Sequence, residues 1–276
     1  MRKPLTVALL LVVPLVLLGF AGLSQAQLVL YDDFNVKPIN PAKWFGTEGS
    51  TGLLSPNTEG RRELAFGELR MDLVMYGRTD SDIGVAGNAT NALNHTNPSA
   101  VTTIQADVLM SNVELVACAP NTSPTRAQAG INGFFFNDGT SPGAGNRTGD
   151  ISAGIQKVQD TKLGDQTELF IARCTNSDCS AITTLASTVF TAAWVMRVVD
   201  TVRLQWDQPN QQFVYTLNPA GPSPETKTLS YTVTDTNPAV VSIKALSVSN
   251  SAANCLSGPR TSSYIKAYFD NVMVNP

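Results

Sequence analysis

Histidine is almost missing from this chain: one imidazole, His95, occurs in 276 residues. A Ser-His-Asp triad would have to use that residue, which stands in a polar stretch spaced with Asn88, Asn91, Asn94 and Asn97 and reads as an exposed loop. Zinc catalysis lacks ligands, because one histidine and four cysteines without a C-x-x-C pair do not make a three-ligand site. No phosphate loop or dinucleotide fingerprint is present. Charge is sparse as well, 19 basic against 22 acidic residues with no basic run, so nothing tracks a phosphate backbone or an anionic bilayer. Nucleic acid and membrane surface are therefore excluded as expected partners. Amphipathic helices are hard to place anywhere, and no internal repeat or linker divides the chain.

What is present begins with a leader. Arg2 and Lys3, an apolar run from Leu5 to Leu18 and the small residues of Ser24-Gln25-Ala26 make the three parts of a secretory signal. The stretch from Pro4 to Leu23 is long enough to span a bilayer, but Pro14 and the A-x-A-like end point to cleavage after Ala26. Residues 1–26 are thus expected to be a signal peptide and 27–276 a single exported domain, periplasmic or extracellular. Without Arg2 and Lys3 the remainder holds 17 basic and 22 acidic residues, a net charge of −5. All four cysteines fall in the exported part, where oxidation is permitted. Of three pairings, Cys174 with Cys179 suits a small staple around T-N-S-D, which leaves Cys118 with Cys255; four-cysteine zinc is the rival.

From residue 27 onward, apolar alternation of period two recurs between Gly, Pro, Asn and Asp clusters, the pattern of an all-β sandwich. A Pro- and Asn-rich connection follows Leu28–Phe34, then a polar loop through Arg62. Along 67–76, Leu69, Met71 and Leu73 share one face and Glu68, Arg70 and Asp72 the other. In 100–110, Ile104, Ala106, Val108 and Met110 oppose Thr103, Gln105 and Asp107. After the strand 130–136 and a Gly-rich loop, Ile151, Ala153 and Ile155 alternate with Ser152, Gly154 and Gln156. Residues 202–207 and 213–217 form the clearest hairpin, joined at Q-P-N. The last stretch, 262–276, is an apolar strand interrupted by Asp270 and Asn271, and it is expected to pair with Leu28–Phe34 and close a sheet. The fold class is all-β, two antiparallel sheets.

Three features together, Tyr31-Asp32-Asp33-Phe34 with Trp44, the hairpin V-R-L-Q-W-D / Q-F-V-Y-T-L and the closing A-Y-F-D-N-V-M-V, resemble the concanavalin A-like lectin and glucanase superfamily. The resemblance covers almost all of 27–276 and implies a laminin G-like jelly-roll sandwich with a concave and a convex sheet. It also implies a place for catalysis. In the laminarinase-like branch an E-x-D-x-x-E strand supplies nucleophile and acid, and the stretch in that place here is Asp150-Ile151-Ser152-Ala153-Gly154-Ile155, acidic only at its first position. Glu68 and Asp72, four residues apart on one strand face, stand about 13 Å apart, whereas a glycosidase pair needs about 5–9.5 Å. A cross-strand pair of Asp107 with Asp150 stays open.

By the same resemblance Asp270 is the side-chain candidate for one structural calcium ion that secures the chain ends, with Asp32 or Asp33 as further donors; hard oxygen ligands suit this ion. No organic cofactor is expected. The wet faces of three strands carry Gln105 and Asp107, Ser152 and Gln156, and Arg203 and Gln205, all types that hydrogen-bond hydroxyls. If they share the concave sheet they make a sugar-binding surface. The leading expectation is a secreted, non-catalytic β-sandwich that binds glycan or another extracellular surface component. The rivals are a glycoside hydrolase or polysaccharide lyase acting in the concave groove, and a structural envelope or adhesion protein. A close carboxylate pair would favour the enzyme, an exposed Trp the binding protein.

Overall fold

The computed structural model describes residues 27–55 and 57–276; the expected signal peptide, 1–26, lies outside the described residues. In chain order the strands are β1 (Val29–Asp32), β2 (Trp44–Phe45), β3 (Gly49–Ser55), β4 (Thr58–Ala65), β5 (Glu68–Tyr76), β6 (Val85–His95), β7 (Thr103–Val116) and β8 (Arg126–Asn137). They continue as β9 (Asp150–Asp160), β10 (Gly164–Cys174), β11 (Ile182–Val189), β12 (Asp200–Asp207), β13 (Gln212–Leu217), β14 (Glu225–Ser230), β15 (Asn237–Ala253) and β16 (Ser262–Val274). Among the described residues nine strands form a back sheet in the order β14-β13-β12-β7-β16-β5-β4-β3, with β1 alongside β16. Seven form a front sheet in the order β11-β10-β9-β8-β15-β6-β2. Every pairing in both sheets is antiparallel. This is a two-sheet antiparallel β-sandwich, in line with the expected jelly roll.

Alternation explains the layering. Ile104, Ala106 and Val108 of β7, Leu69, Met71 and Leu73 of β5 and Ile265, Ala267 and Phe269 of β16 are fully buried on the inner side of the back sheet. Ile131, Ile151, Ala153, Ile155, Leu169 and Leu246 meet them from the front sheet in one continuous core. Cys118, just beyond β7, is bonded to Cys255, just beyond β15, with Cα atoms 5.5 Å apart, so this bridge ties one sheet to the other. Cys174 and Cys179 close the small loop after β10. The cysteines are consumed in disulfides and form no zinc site.

β16 is paired with β5 up to Phe269 and with β1 from Val272 onward, while β7 runs along its other edge. Asp270 and Asn271 fill the changeover, and Asn271 takes φ +48°. That left-handed residue shifts the register and lets Phe269 and Val272 both point into the core. The polar interruption read in the sequence is thus a bulge where one neighbour strand replaces another.

Two segments differ from the sequence reading. The polar stretch after Trp44 holds β3 and β4, and the Asn-rich stretch around His95 is β6, paired with β15. Polar side chains turn inward in both: Arg62 donates to Ala92 O at 2.7 Å, and Asn91 donates to Arg61 O at 2.9 Å. His95 is accordingly buried at 5% exposure, stacked on Tyr31 with ring centroids 4.1 Å apart.

Two lysines also lie between the sheets. Lys157 of β9 reaches Asp200 of β12 at 2.8 Å and is fully buried. Lys244 of β15 has no carboxylate among its partners. Its ammonium donates to Phe134 O at 2.8 Å and Pro98 O at 3.3 Å and rests 4.0 Å from the Phe135 ring centroid. Burial pulls its pKa down to about 7.

Candidate functional site

The outward positions of the front sheet line a cavity of about 540 Å³. Register builds it row by row. Thr90, Ser249, Gln128 and Val158 are cross-strand partners across β6, β15, β8 and β9, and Ser247, Gly130, Gln156 and Glu168 form the next row across β15, β8, β9 and β10. Asn132, Gly154 and Phe170 make the row after that. One side of the cavity is hydroxyl and amide, with Asn88, Gln128 and Ser251, and with Thr90 and Ser249 3.0 Å apart. The other side is mixed, with the apolar Phe170 and Ala172 of β10 and Ile182 and Val189 of β11 beside the hydroxyls of Thr184, Ser187 and Thr188.

Phe170 lies half-buried in this wall because Gly154 leaves it room. A Cβ at Gly154 would lie 2.5 Å from the ring's Cζ. The amides of Gln156, in the row beside that ring, and of Gln128, further along the same cavity, have no hydrogen-bond partner among the described residues. A wall that offers an aromatic face beside unspent amides suits a ligand that is apolar on one side and hydroxylated at its rim.

Charge is confined to one corner. Arg126 of β8 directs one edge of its guanidinium at two acids, Nε 3.1 Å from Asp160 Oδ2 and Nη2 2.6 Å from Glu168 Oε1. Gln166 donates to the same Glu168 oxygen at 2.6 Å, and Asp160 Oδ1 caps the β9–β10 turn by accepting from the amides of Lys162 and Leu163. The two carboxylates are therefore bridged by a cation rather than facing one another across an open gap, which does not suit an acid and a nucleophile flanking a glycosidic bond.

Of the six residues read as one sugar surface, the structure brings only Ser152 and Gln156 to this face. Gln105 and Asp107 on β7 and Arg203 and Gln205 on β12 belong to the back sheet and point away from it, because β7 lies between β12 and β16, and β12 between β13 and β7, neither of them beside β9. There they are largely engaged: Arg203 Nε donates to Gln105 Oε1 at 2.9 Å, while Asp107 accepts from Thr201 Oγ1 at 2.5 Å and Asn271 Nδ2 at 2.9 Å. The pair of Asp107 with Asp150 fails for the same reason, since they lie on different sheets. Asp150 is fully buried and accepts from Asn137 Nδ2 and from the amides of Val240 and Val241. Sequence reasoning missed Arg126, Gln128, Glu168 and Phe170; the signal available was their outward parity on strands flanking β9.

The single histidine is no general base. Its Nδ1 accepts from Asn97 N at 2.9 Å, and burial, then the nearby Lys244, lowers its pKa to about 4. Gly139-Thr140-Ser141-Pro142-Gly143 has the spelling of a nucleophile elbow, but it lies in the loop between β8 and β9 with no helix after it. Ser141 Oγ donates to backbone carbonyls of that loop.

The resemblance implies calcium at Asp270, and part of that donor set fits. Asp270 Oδ1 is buried without a hydrogen-bond partner. Burial, then Asp107, Asp33 and Asp32, raise the Asp270 pKa, and Glu68 is raised by burial and by Asp270. Glu68, Asp107 and Asp270 line a cavity of about 230 Å³. Crowded hard oxygens of this kind are what a divalent cation relieves. Asp32 does not fit: Oδ1 accepts from Phe34 N at 3.1 Å and Oδ2 from Trp44 Nε1 at 2.7 Å, so its role is to hold the aromatic cluster of Phe34 and Trp44. Asp33 is turned to Asn35 N at 3.3 Å. Among the described residues the compact group of potential ligand atoms is instead Asp82 with Cys118 and Cys255, whose sulfurs are joined to each other.

No family model matches the chain, and no curated relative matches its sequence. Solved structures of low identity align with it over most of its length. An alginate lyase is 12% identical over 89% of this chain and 95% of its own, with a TM-score of 0.39. An endo-β-galactosidase from Clostridium perfringens that releases GlcNAcα1-4Gal is 10% identical over 87% of this chain and 62% of its own, at 0.42. The winged bean acidic lectin, complexed with methyl-α-D-galactose, is 10% identical over 90% and 98%, at 0.36.

Proposed function

We propose that the chain is an exported, non-catalytic glycan-binding protein and that the groove on the outer face of the front sheet is its site. The observation that carries this reading is that the Phe170 ring and the unspent Gln128 and Gln156 amides line one cavity of about 540 Å³. A pyranose presents an apolar face to such a ring and its hydroxyls to such amides. The bridging of Asp160 and Glu168 by Arg126 speaks against hydrolysis in the same groove. The two disulfides support an oxidising compartment outside the cytoplasm.

In this reading a structural calcium ion takes Asp270 as its side-chain ligand, with Asp107, Glu68 and Asp33 near enough to add charge, and its contribution is to hold β16 where β5 gives way to β1. The function is tested with residues 27–276 on a glycan array combined with a polysaccharide degradation screen. Saturable binding with no new reducing ends supports it; release of reducing ends from any polymer overturns the non-catalytic reading.

A further inference from the structure

We infer that the groove selects an uncharged glycan and discriminates against uronates and sulfated sugars. This rests on the groove being the glycan site. Its argument is the state of the groove's charges. Arg126 and Glu168 are the charged side chains among the described residues that line the cavity. An acidic polysaccharide is normally held by an Arg or Lys that presents free donors to carboxylate or sulfate.

Arg126 is already paired with two acids, although only its Nη2 makes a hydrogen bond, to Glu168. Its Nε–Nη2 edge, the one suited to a bidentate carboxylate, is already turned to Asp160 at 3.1 Å and Glu168 at 2.6 Å. Asp160 is fully buried by its side chain and fixed to the β9–β10 turn, so the pairing on that side is not displaced by a ligand without undoing the turn. The corner therefore carries two negative charges against one positive. Glu168 is the member that lines the cavity, and it stands in the row next to Phe170. A sugar stacked on the ring places its substituents beside a surplus negative charge, in a recess where water screens poorly. Hydroxyls gain acceptors there, from the Glu168 carboxylate and the Gln128 and Gln156 carbonyls; a carboxylate gains only repulsion.

At the far end of the face, Arg147 lies 4.2 Å over the Phe134 ring centroid and 3.6 Å from Asp150, and it does not line the cavity. Lys157, on the same strand as Gln156, points the opposite way, into the core.

The test uses matched polymers: several neutral polysaccharides and, for each, the same polymer oxidised at its primary hydroxyls to carboxylates, measured by affinity electrophoresis or calorimetry at low and at about 150 mM salt. The expected result is binding to at least one neutral polymer, with its oxidised partner weaker by about tenfold or more and the gap shrinking as salt rises. Glu168→Gln, which keeps shape and removes the surplus charge, narrows the gap to about threefold or less. Equal or tighter binding of the oxidised polymer, or a gap that Glu168→Gln leaves untouched, overturns the inference while sparing the groove as a binding site. No binding of any polymer, neutral or oxidised, overturns the glycan-binding reading itself.

Discussion

The two outer faces of the sandwich are built from the same kinds of residue and end in opposite states. On the back face, Gln105 is held by Arg203 and Asp107 by Thr201 and Asn271, and Arg70 pairs with Glu63 and Asp72. On the front face, Gln128 and Gln156 line the same cavity as Phe170 with their amides unspent. A glutamine on a wet strand is thus no signal by itself. What separates scaffolding from recognition is whether its hydrogen-bonding capacity has already been used.

The same contrast recurs in the interior, where it can be broken with the largest effect. Lys157 has Asp200; Lys244 has only carbonyls and a ring. The folded pKa of Lys244 is about 7 against a reference of 10.5. Below pH 7 the folded and unfolded chains are both protonated there, and the cost of burying the charge is constant. Between about pH 7 and 10.5 the unfolded chain keeps a proton that the folded one has released, so stability climbs with pH, by several kcal/mol in all. Urea unfolding of the protein and of Lys244→Met across this window should show the climb in the first and its loss in the second, with the variant more stable at neutral pH. Parallel curves would show that the ammonium is solvated after all.

Next in size is the front face itself. Phe170→Ala removes the platform and should weaken glycan binding by about tenfold or more, ~1.5 kcal/mol. Gln105→Ala on the back face should leave affinity within about twofold. Calorimetry on the tightest polymer decides, and an equal loss from both substitutions would dissolve the distinction between the faces.

The smallest effect sharpens the back face. If Asp270 is a calcium ligand, added calcium should raise the Tm by about 2–4 °C, ~1 kcal/mol for a chain of this size, and chelator should reverse it. Asp270→Asn should abolish the response. A Tm indifferent to calcium in the parent protein sinks the ion.

Much of the sandwich was legible, because β5, β7 and β9 put Leu, Ile, Ala and Met on one side and polar residues on the other without exception over several residues. β4 and β6 were not, since inward Arg62, Asn91 and His95 break the two-residue period; Arg62 and Asn91 are met by carbonyls of the facing strand and His95 by the nearby amide of Asn97. The site was half legible for a different reason. Alternation gives which residues face outward, but nothing local tells which of two sheets a strand joins. Ser152 and Gln156 were therefore grouped with Gln105 and Arg203, while Phe170 of β10 went unnoticed. For Asp270 the polar break in an apolar run was visible; its cause, the changeover from β5 to β1, was not.

The order of the strands has one more consequence, for the timing of assembly. β15 lies between β8 and β6, and β16 between β7 and β5, so the innermost seams of both sheets are filled by segments synthesised last. Earlier strands can form hairpins but find their central neighbour only when residues 237–274 arrive, and Cys118 has no partner until Cys255 does. Such long-range closure folds slowly and late. A chain of this design stays threadable for nearly its whole length, and locks both layers in a single final step.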